Sequence, residues 1–108
     1  MNTRFQECIE ACQECWVDCQ NCLTQMATQK SMNDCPKCCM ACIDACLVCI
    51  KAMVSDSKWA NKYCQICAEV CDWCAEQCEA HDHEHCQTCA KSCRKCADAC
   101  RAVVAAYI

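Results

Sequence analysis

Cys64-Gln65-Ile66-Cys67-Ala68-Glu69-Val70-Cys71-Asp72-Trp73-Cys74-Ala75-Glu76-Gln77-Cys78 sets a thiol at steps of three, four, three and four. That alternation is the 3.5-residue period of a helix in a bundle, with cysteine where Leu or Ile would ordinarily face the core. The same rhythm recurs in Cys8, Cys12, Cys15, Cys19 and Cys22 and in Cys86, Cys89, Cys93, Cys96 and Cys100. It recurs again in Cys35, Cys39, Cys42, Cys46 and Cys49, where Cys38 is an extra thiol off the register.

These four stripes and Cys38 account for all 21 cysteines in 108 residues. The chain has no glycine, a single proline (Pro36), and only Leu23 and Leu47 as leucines. Without glycine, an all-β fold lacks its tight turns. The reading is therefore all-α, with helices from about Thr3 to Ala27, from Asn33 or Asp34 to Val54, from Ser57 to Ala80, and from Asp82 almost to Ile108. Asn33, Asp34, Ser55, Asp56, Ser57 and Asp82 are candidate caps, and Pro36 suits a first turn. The short connections predict an antiparallel up-down-up-down four-helix bundle with a cysteine-lined core, one domain spanning 1–108.

A second apolar stripe runs through Met40, Ile43, Leu47, Ile50 and Val54, and another through Tyr63, Ile66, Val70 and Trp73. They seal the walls between helices, and with Trp16 they extend into a surface suited to self-association. The net charge of −4 and the lack of a basic stripe argue against a nucleic-acid partner. No run is long and apolar enough to span a membrane. The opening Met1-Asn2-Thr3-Arg4-Phe5 carries no secretory pattern, so the expected compartment is the cytosol, where thiols stay reduced.

Disulfides do not suit the pattern. Side chains one helical turn apart hold their Cβ atoms ~5–6 Å apart, whereas a disulfide needs ~3.5–4.5 Å. A metal ion between two sulfurs fits better, because bonds of ~2.3 Å place the sulfurs ~4.5 Å apart. Pairs such as Cys8/Cys12, Cys15/Cys19, Cys67/Cys71, Cys74/Cys78, Cys89/Cys93 and Cys96/Cys100 meet that span. Charge selects the metal: many thiolates in a dry core repel, and one monovalent ion per thiolate nearly cancels their charge. Soft Cu(I) is the expected cargo, on the order of twenty ions per chain. Cys₄ sites for zinc would leave the core strongly anionic.

One end of the tube continues into Met26, Met32 and His81, with His83 and His85 close by, all neutral copper ligands. The other end continues into Phe5, Met53, Val103 and Tyr107, an apolar plug. Copper is expected to pass through the His/Met mouth. No Ser/His/Asp set or phosphate-binding glycine loop occurs, so an enzyme is not expected. The rival is a metallothionein-like scavenger of Zn(II), Cd(II) or silver, which the helical registers disfavour.

The stretch His81-Asp82-His83-Glu84-His85-Cys86-Gln87-Thr88-Cys89-Ala90-Lys91-Ser92-Cys93 resembles the His-Asp-His-x-His-Cys-x-x-Cys-Ala-Lys-x-Cys pattern of the cytosolic copper storage proteins. Cys64 to Cys78 and the opening Cys8-Ile9-Glu10-Ala11-Cys12 are also similar to that family. The resemblance spans essentially the whole chain. It implies many Cu(I) ions along the core, held mainly by cysteine pairs, and assembly into tetramers. Cys38, Cys39 and Cys49 depart most from the family pattern.

Overall fold

Cysteine period and length together decide the architecture. A computed structural model describes residues 3–106. After a 3₁₀ turn at Thr3–Phe5 come four helices: α1 (Gln6–Met26), α2 (Lys37–Val54), α3 (Ala60–Glu79) and α4 (Glu84–Ala106). Each packs chiefly on two neighbours, α1 on α2 and α4, and α3 on α2 and α4. This is the expected four-helix bundle, 41 × 20 × 18 Å.

The walls are thin because they are lined with alanine. Ala11, Ala68, Ala75, Ala90 and Ala97 are all buried beside the cysteine stripes, so the helices close on one another around a core of small side chains. Ile43 is buried, and Trp16, Ile50, Val70 and Trp73 pack partly against the core. Trp16 is thus not the outward aromatic that the sequence suggested. Met40, Leu47, Val54, Tyr63 and Ile66 remain exposed.

The caps differ from expectation. Helix α2 begins at Lys37, beyond Pro36, not at Asn33 or Asp34. The Asn33 side chain serves elsewhere: Oδ1 accepts the Cys35 N–H at 3.0 Å and Nδ2 donates to the Gln77 carbonyl at 2.9 Å. The α2–α3 connection closes by a Schellman pattern, with Ser57 N–H on Ala52 O and Asp56 N–H on Met53 O. Such a turn needs a left-handed residue. With no glycine in the chain, Asp56 takes that conformation at φ 51°. Ser57 Oγ then accepts the Trp59 N–H, ahead of α3. Helix α4 starts one residue after His83, whose carbonyl accepts from Cys86 and Gln87 N–H, rather than on an Asp82 cap. Tyr107 and Ile108, towards which the fourth helix was expected to run, lie outside the described residues.

Ion pairs belt the outside. Lys95 meets Glu14 at 2.9 Å, and Arg94 bridges Glu79 at 2.8 Å and Asp72 at 3.3 Å. Pairs this exposed are screened by water and contribute little to stability. Inside the α1–α4 wall the buried Ser92 hydroxyl donates to the Asp18 carboxylate.

Candidate metal centre

All 21 cysteines are buried and free. Each stripe faces the axis because the 3.5-residue period keeps one seam of a helix turned towards its partners. Within a helix, Cys15–Cys19, Cys67–Cys71, Cys74–Cys78 and Cys89–Cys93 hold their Sγ atoms 3.8–4.0 Å apart. Some contacts between helices are shorter still. Cys12–Cys96, Cys42–Cys71, Cys49–Cys64 and Cys19–Cys89 each stand at 3.5 Å. The helical pairs legible in the sequence are thus only half of the geometry.

The sulfurs group into quartets whose members lie within 4.8 Å of one another, and the quartets overlap. Cys12, Cys49, Cys67 and Cys100 form one, with one thiol from each helix. It shares Cys12 and Cys67 with Cys12, Cys46, Cys67 and Cys96. Cys46 leads on to Cys15, Cys42, Cys46 and Cys71, then to Cys15, Cys19, Cys42 and Cys93, and finally to Cys19, Cys74, Cys89 and Cys93. The result is a continuous ladder of sulfur along the axis. Three sulfurs around one ion at bonds of ~2.3 Å lie ~4.0 Å apart, close to the spacings seen here.

Towards the α1–α2 and α3–α4 connections, Cys78 is a hub. Its Sγ stands 3.9 Å from Cys35, Cys39 and Cys74 and 3.8 Å from Cys89. The off-register Cys38 is also buried, but its Sγ faces the Cys74 carbonyl at 3.9 Å. It lies in the α2–α3 wall rather than on the axis.

The three histidines stack on one another, His81 on His83 and His83 on His85, yet their surroundings differ. His85 Nδ1 is 3.5 Å from both Cys22 Sγ and Cys86 Sγ. His81 is buried against Asn33 Oδ1 and Ser31 Oγ. His83 is exposed. Met26 is buried at this end, but Met32 is 86% exposed in the connection and does not prolong the stripe. The stripe could not reach it because the helix stops at Met26 and the chain turns outward. At the far end Phe5, Met53 and Val103 are buried as an apolar plug; Tyr107 lies outside the described residues.

Electrostatics follow from burial. Desolvation, then the neighbouring Cys22 and Cys38 sulfurs, pushes the Cys35 thiol up to about 12. Burial and Cys22 likewise push Cys86 up. Cys22 goes the other way: hydrogen bonds from Cys39 and Cys78, with a smaller one from His85, hold it near about 6. Cys22, beside an imidazole at the mouth, is thus easier to deprotonate than Cys35 and Cys86 around it.

Asn33, Ser31, Gln77 and Gln87 were missed as mouth residues by sequence reasoning. Gln77 Oε1 accepts the Asp34 N–H, and Gln87 Nε2 donates to the His81 carbonyl at 2.6 Å. Polar residues at helix ends give no sequence signal for such contacts across connections.

The family model for copper storage proteins matches residues 1–105. The chain belongs to the copper storage protein family. Solved structures agree. The Cu(I)-bound copper storage protein BsCsp3 superposes with a TM-score of 0.90 at 36% identity, covering 94% of this chain and 99% of that one. Apo copper storage protein 3 from Bacillus subtilis gives a TM-score of 0.88 at 38% identity, covering 93% and 98%. A protein from Nitrosospira multiformis gives 0.86 at 33%, covering 98% and 99%. No curated protein sequence matches the chain. Family membership accounts for the thiol-lined axis.

Proposed function

We propose that this chain stores Cu(I) at high capacity, on the order of twenty ions when each thiolate binds about one ion, and so buffers or detoxifies copper in the cytosol. The overlapping thiol quartets carry this reading: adjacent sites share sulfurs, and a shared sulfur bridges two soft monovalent ions. Each bound ion displaces a thiol proton, so loading converts neutral S–H groups into near-neutral Cu–S units without building charge in the core. Zn(II) would leave each four-thiolate site doubly negative, which the dry core disfavours. The chain needs no catalytic group for this role and acts as a binding protein of one domain.

Copper reaches the ladder through the mouth, where His85, Cys22 and Cys86 converge, with Met26 behind them and His81, His83 and Met32 around the opening. The free thiols favour a reducing compartment, and among the described residues no helix is long and apolar enough to cross a membrane. The exposed Met40, Leu47, Val48, Tyr63 and Ile66 support a homo-oligomer, a tetramer by family likeness, with no role for nucleic acid.

Anaerobic titration of the reduced protein with Cu(I) against a chelator tests the storage reading. Capacity near the thiol count is expected. Saturation at one or two equivalents, or displacement of Cu(I) by Zn(II), would refute it.

A further inference from the structure

Every cysteine lies within a helix except Cys35, which is carried by the connection between α1 and α2. Of residues 27–36, Cys35 alone is buried. Its Sγ stands 3.9 Å from the Cys78 hub, and it also neighbours Cys22 and Cys86 at the mouth. The bonds that tie the connection across the mouth end on two residues, Gln77 and His81. Asp34 N–H donates to Gln77 Oε1 and Asn33 Nδ2 donates to the Gln77 carbonyl, both at 2.9 Å. His81 Nε2 meets Asn33 Oδ1 at 3.0 Å and Ser31 Oγ at 3.3 Å. Met32, the largest apolar side chain of the connection, is turned out to solvent. A segment latched by a few polar bonds and one buried side chain opens at lower cost than helices packed along a shared core.

We propose that residues 27–36 form a strap that opens while the bundle stays folded, and that Cys35 is the thiol through which Cu(I) passes between the Cys78 hub and a small-thiol carrier. The proposal rests on the storage reading and adds to it a moving ligand. The reason is positional. A cysteine in mid-helix meets an outside carrier only if a helix leaves the bundle, whereas Cys35 moves when the bonds to Gln77 and His81 break. With the strap closed, the 3.9 Å between Cys35 and Cys78 is close to the span of two sulfurs on one three-coordinate ion. The transfer involves no change of oxidation state. As the strap lifts, a carrier thiol forms a Cu–S bond, the Cu–S bond to Cys78 breaks, and the carrier's proton passes to Cys78. A second carrier thiol then displaces Cys35 in the same way, and Cys35 takes its proton. Uptake is the reverse, with the strap closing on the new ion.

Two measurements on the reduced full-length protein test this. In the apo protein, brief alkylation read by peptide mass spectrometry should find Cys35 modified ahead of the mid-axis Cys42 and Cys93. Gln77→Ala removes the bond to the Asp34 N–H. It should speed labelling of Cys35 about three- to tenfold, the net worth of one hydrogen bond, and leave Cys42 and Cys93 unchanged. In the Cu(I)-loaded protein, excess small thiol draws copper off anaerobically to a coloured chelator. Gln77→Ala should speed release of the first ions by the same factor, and the gain should vanish when Cys35→Ser is also present. Cys35 labelled no sooner than Cys42 and Cys93, or all three accelerated together, overturns the strap. A gain in release that survives Cys35→Ser, or no gain at all, overturns Cys35 as the transfer thiol. A protein that takes up no Cu(I) fails the storage reading instead, and the labelling still reports whether the strap opens.

Discussion

His81 Nε2 lies 3.0 Å from Asn33 Oδ1, and this bond separates the roles of the three histidines. Asn33 uses Nδ2 to donate to the Gln77 carbonyl, so its Oδ1 is the acceptor and His81 must present Nε2–H. His81 thereby fastens the α3–α4 connection to the α1–α2 connection. His85, 3.5 Å from Cys22 and Cys86, is the histidine in touch with the sulfur ladder.

Replacing His85 with Ala should slow Cu(I) uptake through the mouth while leaving final capacity within about one ion of the original. Asn33→Ala should instead lower the stability of the apo protein by about 1–3 kcal/mol, the cost of stranding buried polar partners. Stopped-flow uptake and chemical denaturation of both variants check the division. Equal uptake rates for His85→Ala and the parent would reject it.

Cys15 belongs to two of the overlapping quartets, whereas Cys38 faces a backbone carbonyl in the helix wall. Cys15→Ala should therefore remove about two or more ions from the capacity, and Cys38→Ala about one or none, on the rule that each bound ion needs its deprotonated ligands. Copper-to-protein ratios after gel filtration against excess Cu(I) give the answer. Identical losses in the two variants would show that position on the axis does not matter.

The apo bundle should lose stability in alkali. Cys35 has its thiol pushed from the ordinary 9.0 up to about 12 by burial. The folded state thus holds a proton that the unfolded chain gives up first. The resulting stability is fully present below pH 9 and fades as pH rises towards 12. Helical signal in denaturant, followed across that window, should fall for the apo protein and hold for the Cu(I)-loaded one. A flat apo profile would contradict the assignment.

Asp56 occupies the left-handed region at φ 51°, a conformation that costs an ordinary L-residue about 1–2 kcal/mol and glycine almost nothing. Asp56→Gly should raise apo stability by about 0.5–1 kcal/mol after glycine's greater chain entropy is offset. Thermal unfolding monitors this directly, and a lowered midpoint would mean that the Asp56 side chain contributes more than its backbone costs.

The bundle was legible because cysteine period reports a buried helical seam whichever apolar residue fills it. The four stripes, their order and the family signature from His81 to Cys93 all sat in the linear pattern. Cap positions were not legible: Asn33 reads as a helix cap, yet its side chain is drawn into the mouth by Gln77 and His81, residues more than forty positions away. Met32 was likewise read as prolonging the stripe, but a residue past a helix end has no obligation to stay on its axis.

Sequence alone determined that four thiol seams would turn inward, since a 3.5-residue spacing leaves a helix no other way to bury them. Only the tertiary structure decided which sulfurs share a site. Quartets such as Cys12, Cys49, Cys67 and Cys100 depend on the axial offset between helices. That offset is set by how alanine-lined walls pack, a property of four surfaces together and of none of them singly.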